Sequence, residues 1–163
     1  VRGWAHKGLL ASEITLGGHR RFLRETVEEF AKQCKTMPQR KIFRVLIVDD
    51  DKQVAGFLVE WLTGLDESFI VDTAADGFEA GSKLHTFKPD VMLLDVMMPG
   101  LNGFDICRQI KAAQDTSDIR VIAMTGHPSQ QNAQRILDAG AEACISKPLD
   151  TKFLLGLLTA DSL

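Results

Sequence analysis

From Ile42 onward the chain alternates between short, wholly apolar runs and longer mixed segments. The runs Val45-Leu46-Ile47-Val48 and Val91-Met92-Leu93-Leu94 show no polar alternation, the pattern of strands buried on both faces. Strands are expected at 43–48, 69–73, 90–95, 120–125 and 143–146. Helices are expected near 52–63, 77–87, 103–113, 129–139 and 150–159. Strand–helix pairs recurring about every 25 residues imply βαβ crossovers, hence a mostly parallel sheet with helices on both faces.

Before Ile42 the rhythm differs. Residues 1–10 read as the tail of a helix, with Trp4 apolar and Gly8 as its stop. Ile14, Leu16 and Phe22 surround Gly17-Gly18, a hairpin turn signal. Leu23, Val27, Phe30 and Ala31 recur at spacings of three and four, predicting a helix over 23–35. A linker follows at 36–41, with Pro38 as helix breaker.

Charge divides the chain at the same place. Residues 1–41 carry +5 and the remainder -8, which together give the net -3. A basic head on an acidic body points to two units with different partners. The 163 residues suffice for one well-cored domain plus an appendage, and 45% hydrophobic content is that of a globular protein. No apolar run approaches the roughly 20 residues that span a bilayer, and no signal-peptide pattern opens the chain. Val1-Arg2-Gly3-Trp4, without an initiator methionine, suggests a cut N-terminus. Cys34, Cys107 and Cys144 fit neither a disulfide framework nor a zinc site, so a cytoplasmic setting is expected.

The candidate chemistry lies at strand ends. The first strand runs into Asp49-Asp50-Asp51, and the third ends on Asp95, followed by Val96-Met97-Met98-Pro99-Gly100. In an open doubly wound sheet of order 2-1-3-4-5, ligands bind beyond the carboxyl ends of strands 1 and 3, where these carboxylates fall. Mg²⁺ takes hard oxygen ligands, and Asp50, Asp95 and the Met97 carbonyl could supply them. Asp49 to Asp51 could equally serve as helix caps, Met124-Thr125-Gly126 as an ordinary turn, and Lys147 as a solvated lysine. Together, four strand ends of one sheet carry Asp-Asp, Asp, Thr and Lys.

These residues resemble the receiver domain of bacterial two-component response regulators. Val48-Asp49-Asp50-Asp51, Leu94-Asp95-Val96-Met97-Met98-Pro99-Gly100-Leu101-Asn102-Gly103, Met124-Thr125-Gly126 and Ser146-Lys147-Pro148 carry the resemblance, which covers 42–160. It implies a flavodoxin-like (βα)5 fold. It also implies that Asp95 accepts a phosphoryl group from a sensor histidine kinase or phosphotransfer protein. Asp49 and Asp50 become the acidic metal pair, the Met97 carbonyl a further Mg²⁺ ligand, Thr125 the switch hydroxyl and Lys147 the family's lysine. Such a domain is not an enzyme beyond slow self-catalysed phosphotransfer and dephosphorylation. A homodimer through the helix 4–strand 5–helix 5 face is also implied. The family often carries Tyr or Phe three residues before the lysine; here that position is Cys144, read as a small buried filler. His127 is expected to be solvated near the site entrance.

The head resembles the winged helix-turn-helix of MerR-like and excisionase-type DNA-binding proteins, on Trp4-Ala5-His6-Lys7-Gly8-Leu9-Leu10 and Thr15-Leu16-Gly17-Gly18-His19-Arg20-Arg21-Phe22. The match is a partial winged-helix segment, 1–35, ahead of a domain at 42–163. It implies DNA contacts from Arg2 and Lys7 on the recognition-helix remnant and from His19, Arg20 and Arg21 on the wing. A phosphorylation-controlled transcription regulator is therefore expected. Its rivals are a receiver signalling through protein contacts alone and an aspartyl-nucleophile phosphatase. The phosphatase family resembled would need a second Asp where Met97 stands.

Overall fold

The computed structural model describes residues 13–14, 20–21, 42–66 and 68–159. The chain forms two compact units, Val1–Lys41 and Ile42–Leu163. In the first, Glu13–Ile14 pairs antiparallel with Arg20–Arg21, the pairing expected of a hairpin around Gly17-Gly18. The predicted helices at 1–10 and 23–35, the linker at 36–41, and Arg2, Lys7, His19 and Cys34 lie outside the described residues.

The second unit contains strands β1 (Phe43–Val48), β2 (Phe69–Ala74), β3 (Val91–Asp95), β4 (Arg120–Thr125) and β5 (Ala143–Ser146). All pair in parallel, in the order 2-1-3-4-5. Helices α1 (Lys52–Leu65), α2 (Gly77–Thr86), α3 (Gly103–Ala112), α4 (Gln130–Asp138) and α5 (Thr151–Thr159) make the crossovers. This is the parallel sheet with helices on both faces expected from the strand–helix alternation, and the flavodoxin-like fold that the receiver resemblance implied.

Alternate residues of each central strand enter opposite cores. Val45, Ile47, Leu93, Ile122 and Met124 pack with Leu58 and Leu62 of α1 and Leu154 and Leu158 of α5. Leu46, Val48, Met92, Leu94 and Ala123 pack with Ala80 of α2, Phe104, Cys107 and Ile110 of α3 and Ile136 of α4. The apolar runs lack alternation because both faces are covered. Polar caps then fix the helix starts. Asp51, Asp76, Asn102 and Ser129 each accept a backbone N–H of the helix that follows.

Most element ends fall within one residue of the predicted ones, and two differences are larger. Helix α1 continues two residues beyond the expected stop, through Gly64 to Leu65, and ends where Asp66 turns extended. The turn after Asp95 is itself a small antiparallel ladder, Met97–Met98 with Leu101–Asn102. Its turn residues are Pro99 and Gly100, and Gly100 sits at φ 71°, a conformation glycine adopts without steric cost.

Candidate functional site

Strand register sets the level of each site residue. Val48 lies beside Leu94, so the next residues, Asp49 and Asp95, emerge side by side from the carboxyl edge. Asp95 is level with Met124, and Thr125 with Ser146, so Thr125 and Lys147 follow at the same edge. The sheet thereby gathers residues that are up to 98 positions apart in the chain.

At that edge the Lys147 ammonium donates to Asp49 Oδ2 at 2.6 Å and to Asp95 Oδ2 at 2.7 Å. The remaining oxygens are also engaged. Asp49 Oδ1 accepts the Asp51 N–H at 3.0 Å, and Asp95 Oδ1 accepts the Met97 N–H at 2.8 Å. The Asp49 side chain is wholly buried and that of Asp95 is 8% exposed. Burial raises the Asp49 carboxyl above its usual range, against the lowering pull of Lys147 and the Asp51 N–H. Burial alone would lower the Lys147 ammonium, but its bonds to Asp49 and Asp95 outweigh this and hold it above the ordinary lysine value.

The acidic triplet after β1 divides its work. Asp51 caps α1, accepting the N–H groups of Gln53 and Val54. Asp49 is buried against Lys147, and Asp50 is exposed beside it. Carboxylate oxygens of Asp49, Asp50 and Asp95 lie within 4.8 Å of one another. Three carboxylates against one ammonium leave room for a divalent cation, and an all-oxygen donor set suits Mg²⁺. The Met97 peptide is held beside this cluster by its bond to Asp95, with its side chain about half exposed.

Two loops complete the edge. The Lys147 N–H donates to the Thr125 carbonyl at 2.8 Å, and Thr125 Oγ1 accepts the His127 N–H at 3.2 Å. Thr125 is buried, whereas His127 is exposed, as expected. The Lys147–Pro148 peptide is cis. Cys144 is half-buried, more open than the buried filler expected, because β5 is an edge strand. Arg20 and Arg21 form the second short strand of the N-terminal ladder.

Gly103 was legible only as part of a motif. A Cβ there would lie 2.6 Å from Val96 Cα and 3.0 Å from the Asp95 carbonyl oxygen. Glycine lets the start of α3 press against the peptide after Asp95. The Val96 N–H then bonds the Met124 carbonyl at 2.9 Å, tying that loop to β4. The sequence signal is Asn102-Gly103 at a helix start, with Asn102 as the cap.

Comparison with known proteins agrees with this arrangement. The profile of the response regulator receiver domain matches residues 45–159. The chain belongs to the response regulator receiver family. Response regulator MprA of Mycobacterium ulcerans is 36% identical over 117 residues, covering 72% of this chain and 49% of its own length. The chain thus spans about half the length of the curated relatives it matches. The signal receiver domain of a DNA binding response regulator protein (merR) from Colwellia psychrerythraea 34H superposes with TM-score 0.70 at 43% identity, covering 72% of this chain and 96% of that one. A CheX–CheY–BeF3–Mg complex from Borrelia burgdorferi gives TM-score 0.65 at 33% identity, covering 74% and 90%. Among the described residues, no helix is long and apolar enough to cross a membrane.

Proposed function

We propose that this receiver accepts a phosphoryl group on Asp95 from a sensor histidine kinase or phosphotransfer protein and thereby controls an attached DNA-binding unit. The observation that carries the reading is the Lys147 ammonium held between Asp49 and Asp95, with Asp50 completing the acidic cluster. Such a site presents a carboxylate nucleophile beside fixed positive charge.

An Asp95 carboxylate oxygen attacks phosphorus in line, forming a P–O bond as the bond to the donor's leaving group breaks. Bound by Asp49, Asp50, Asp95 and the Met97 carbonyl, Mg²⁺ would offset the charge of the phosphoryl oxygens. Lys147, bonded to Asp95 Oδ2, supplies positive charge beside the acceptor. Thr125 donates its hydroxyl to a phosphoryl oxygen, drawing the loop after β4 toward the site. Turnover is confined to slow self-catalysed transfer and loss of the phosphoryl group. The Borrelia complex, which holds BeF3 and Mg, is consistent with this chemistry.

The output reading divides the chain into a DNA-binding segment at 1–35, a linker at 36–41 and a receiver at 42–163. It rests on the +5 charge of the head, on its MerR-like motif, and on the description of the Colwellia relative as a DNA binding regulator. A cytoplasmic transcription regulator fits these features. Borohydride reduction of the phosphorylated chain followed by peptide mapping tests the acceptor: homoserine at position 95 supports it, and homoserine elsewhere refutes it. For the output, DNA affinity that falls steeply with salt supports DNA binding. Salt-independent or absent affinity would favour signalling through protein contacts.

A further inference from the structure

Helix α4 is lightly held. Among its nine residues only Ile136 is buried. Residues 126–131, which lead from Thr125 into its first turn, are all exposed. Its seam with α3 is made at three levels. Two lie at the C-terminal end. There the Cys107 thiol donates to the carbonyl of Ala139, the residue that caps α4, at 3.5 Å. The Lys111 stem fills the space beside Gly140, where an added Cβ would lie 2.7 Å from Lys111 Cγ. The third level is nearest the site: the Arg135 guanidinium lies over the Phe104 ring, 4.3 Å from its centroid. A cation over an aromatic face is held by the ring's quadrupole. Helical side chains lean toward their N-terminus, so this long side chain makes the foremost contact of the seam.

The two partners in that contact belong to opposite halves of the site. Phe104 follows Gly103, whose N–H bonds the Val96 carbonyl at 3.4 Å and whose bare Cα lets α3 press on the backbone just after Asp95. Arg135 belongs to the helix that Ser129 caps, four residues after Thr125. Thr125 Oγ1 accepts the His127 N–H at 3.2 Å, so the same hydroxyl shapes the loop into α4. Movement of Thr125 toward Asp95 reaches α4 through three exposed residues, 126–128, while α3 stays against Val96. The guanidinium is then drawn off the ring.

We propose that the Arg135–Phe104 contact is a latch that holds α4 in its resting position and opens when Asp95 takes the phosphoryl group. The latch rests on the reading of Asp95 as the acceptor. Arg135 and Phe104 are positioning residues, acting through the loop that carries Thr125. The contacts at Cys107 and Lys111 keep the C-terminal end of α4 on α3, so the release is confined to its first half. By linkage, a latch that opposes the phosphorylated state must, when removed, favour it.

Hydrogen–deuterium exchange of the full chain tests the latch at rest, with circular dichroism to confirm folding. Phe104→Leu removes the ring face and keeps an apolar side chain; Arg135→Gln removes the cation from an exposed position. Each should speed exchange across 130–138 by about two- to fivefold, the worth of an exposed cation–π contact. The double variant should exchange no faster than the faster single one. Beryllium fluoride with Mg²⁺, titrated by calorimetry, then reads the coupling. Phe104→Leu leaves the charge unchanged and should bind the anion about two- to fivefold more tightly than wild type. A merely structural contact would give no gain in affinity. Unchanged exchange across 130–138 in both variants, or unchanged or weaker affinity in Phe104→Leu, would overturn the latch alone. A wild type that takes no beryllium fluoride would overturn the acceptor reading, and the latch with it.

Discussion

Lys147→Met removes the one ammonium between two buried carboxylates while keeping most of the side-chain volume. Its Nζ lies 2.6 Å from Asp49 and 2.7 Å from Asp95, whose side chains are 0% and 8% exposed. Breaking a buried ion pair costs about 3–5 kcal/mol; Lys147 keeps 19% exposure, so the low end, about 3 kcal/mol, is expected. In a domain of this size that lowers the melting temperature by roughly 10 °C. The pH dependence has a definite sign. The Lys147 ammonium is held above its ordinary value, so its contribution is fully present near neutrality and is lost only at strongly alkaline pH. Asp49 already sits above its unfolded value, and without Lys147 it rises further. A raised carboxyl costs stability as pH climbs past the unfolded value, and the cost vanishes below it. The gap between wild type and variant should therefore be widest near pH 8 and narrow as pH falls toward the carboxylate range. Urea unfolding followed by circular dichroism in EDTA, from about pH 8 to pH 5, measures that gap. Millimolar Mg²⁺ should narrow it at high pH by replacing the missing charge. A loss below about 1 kcal/mol at pH 8, or a gap constant over the whole range, would refute the reasoning.

Three further perturbations separate packing, capping and charge. Gly103→Ala forces a methyl against the Val96 backbone and should cost about 1–3 kcal/mol in urea unfolding, with weakened Mg²⁺ binding by calorimetry. Asp51→Ala removes the α1 cap and should cost about 1 kcal/mol while leaving Mg²⁺ affinity within twofold; a larger loss of affinity would make Asp51 a ligand. Glu142 is held below its usual range by the Arg120 hydrogen bond, so its contribution is present above the unfolded carboxylate value and lost as pH falls through the lowered folded one. Glu142→Gln should therefore be less stable than wild type at neutral pH and equal to it in acid, as thermal melts across that range would show.

Much of the fold could be read from the sequence because the central strands are buried on both faces. Their apolar runs and the polar caps between them marked elements to within two residues. The lateral arrangement of Asp49, Asp95, Thr125 and Lys147 was legible through topology, since parallel strands of equal register deliver their ends to one edge. What the sequence did not disclose depends on contacts between distant segments. Nothing local distinguishes capping Asp51 from buried Asp49; the difference arises because Lys147, 98 residues away, meets one and not the other. Gly103 looked like a helix start until the backbone of Val96 was found against it. Cys144 is half-buried because its strand is at the sheet edge, a fact of strand order.

Phosphoryl acceptance at Asp95 is tested most directly by intact mass after incubation with acetyl phosphate, with and without Mg²⁺, for the wild type and Asp95→Asn. A single phosphoryl adduct that requires Mg²⁺ and disappears in the variant is the expected result. An adduct that persists in Asp95→Asn, or one that forms equally in EDTA, would contradict it.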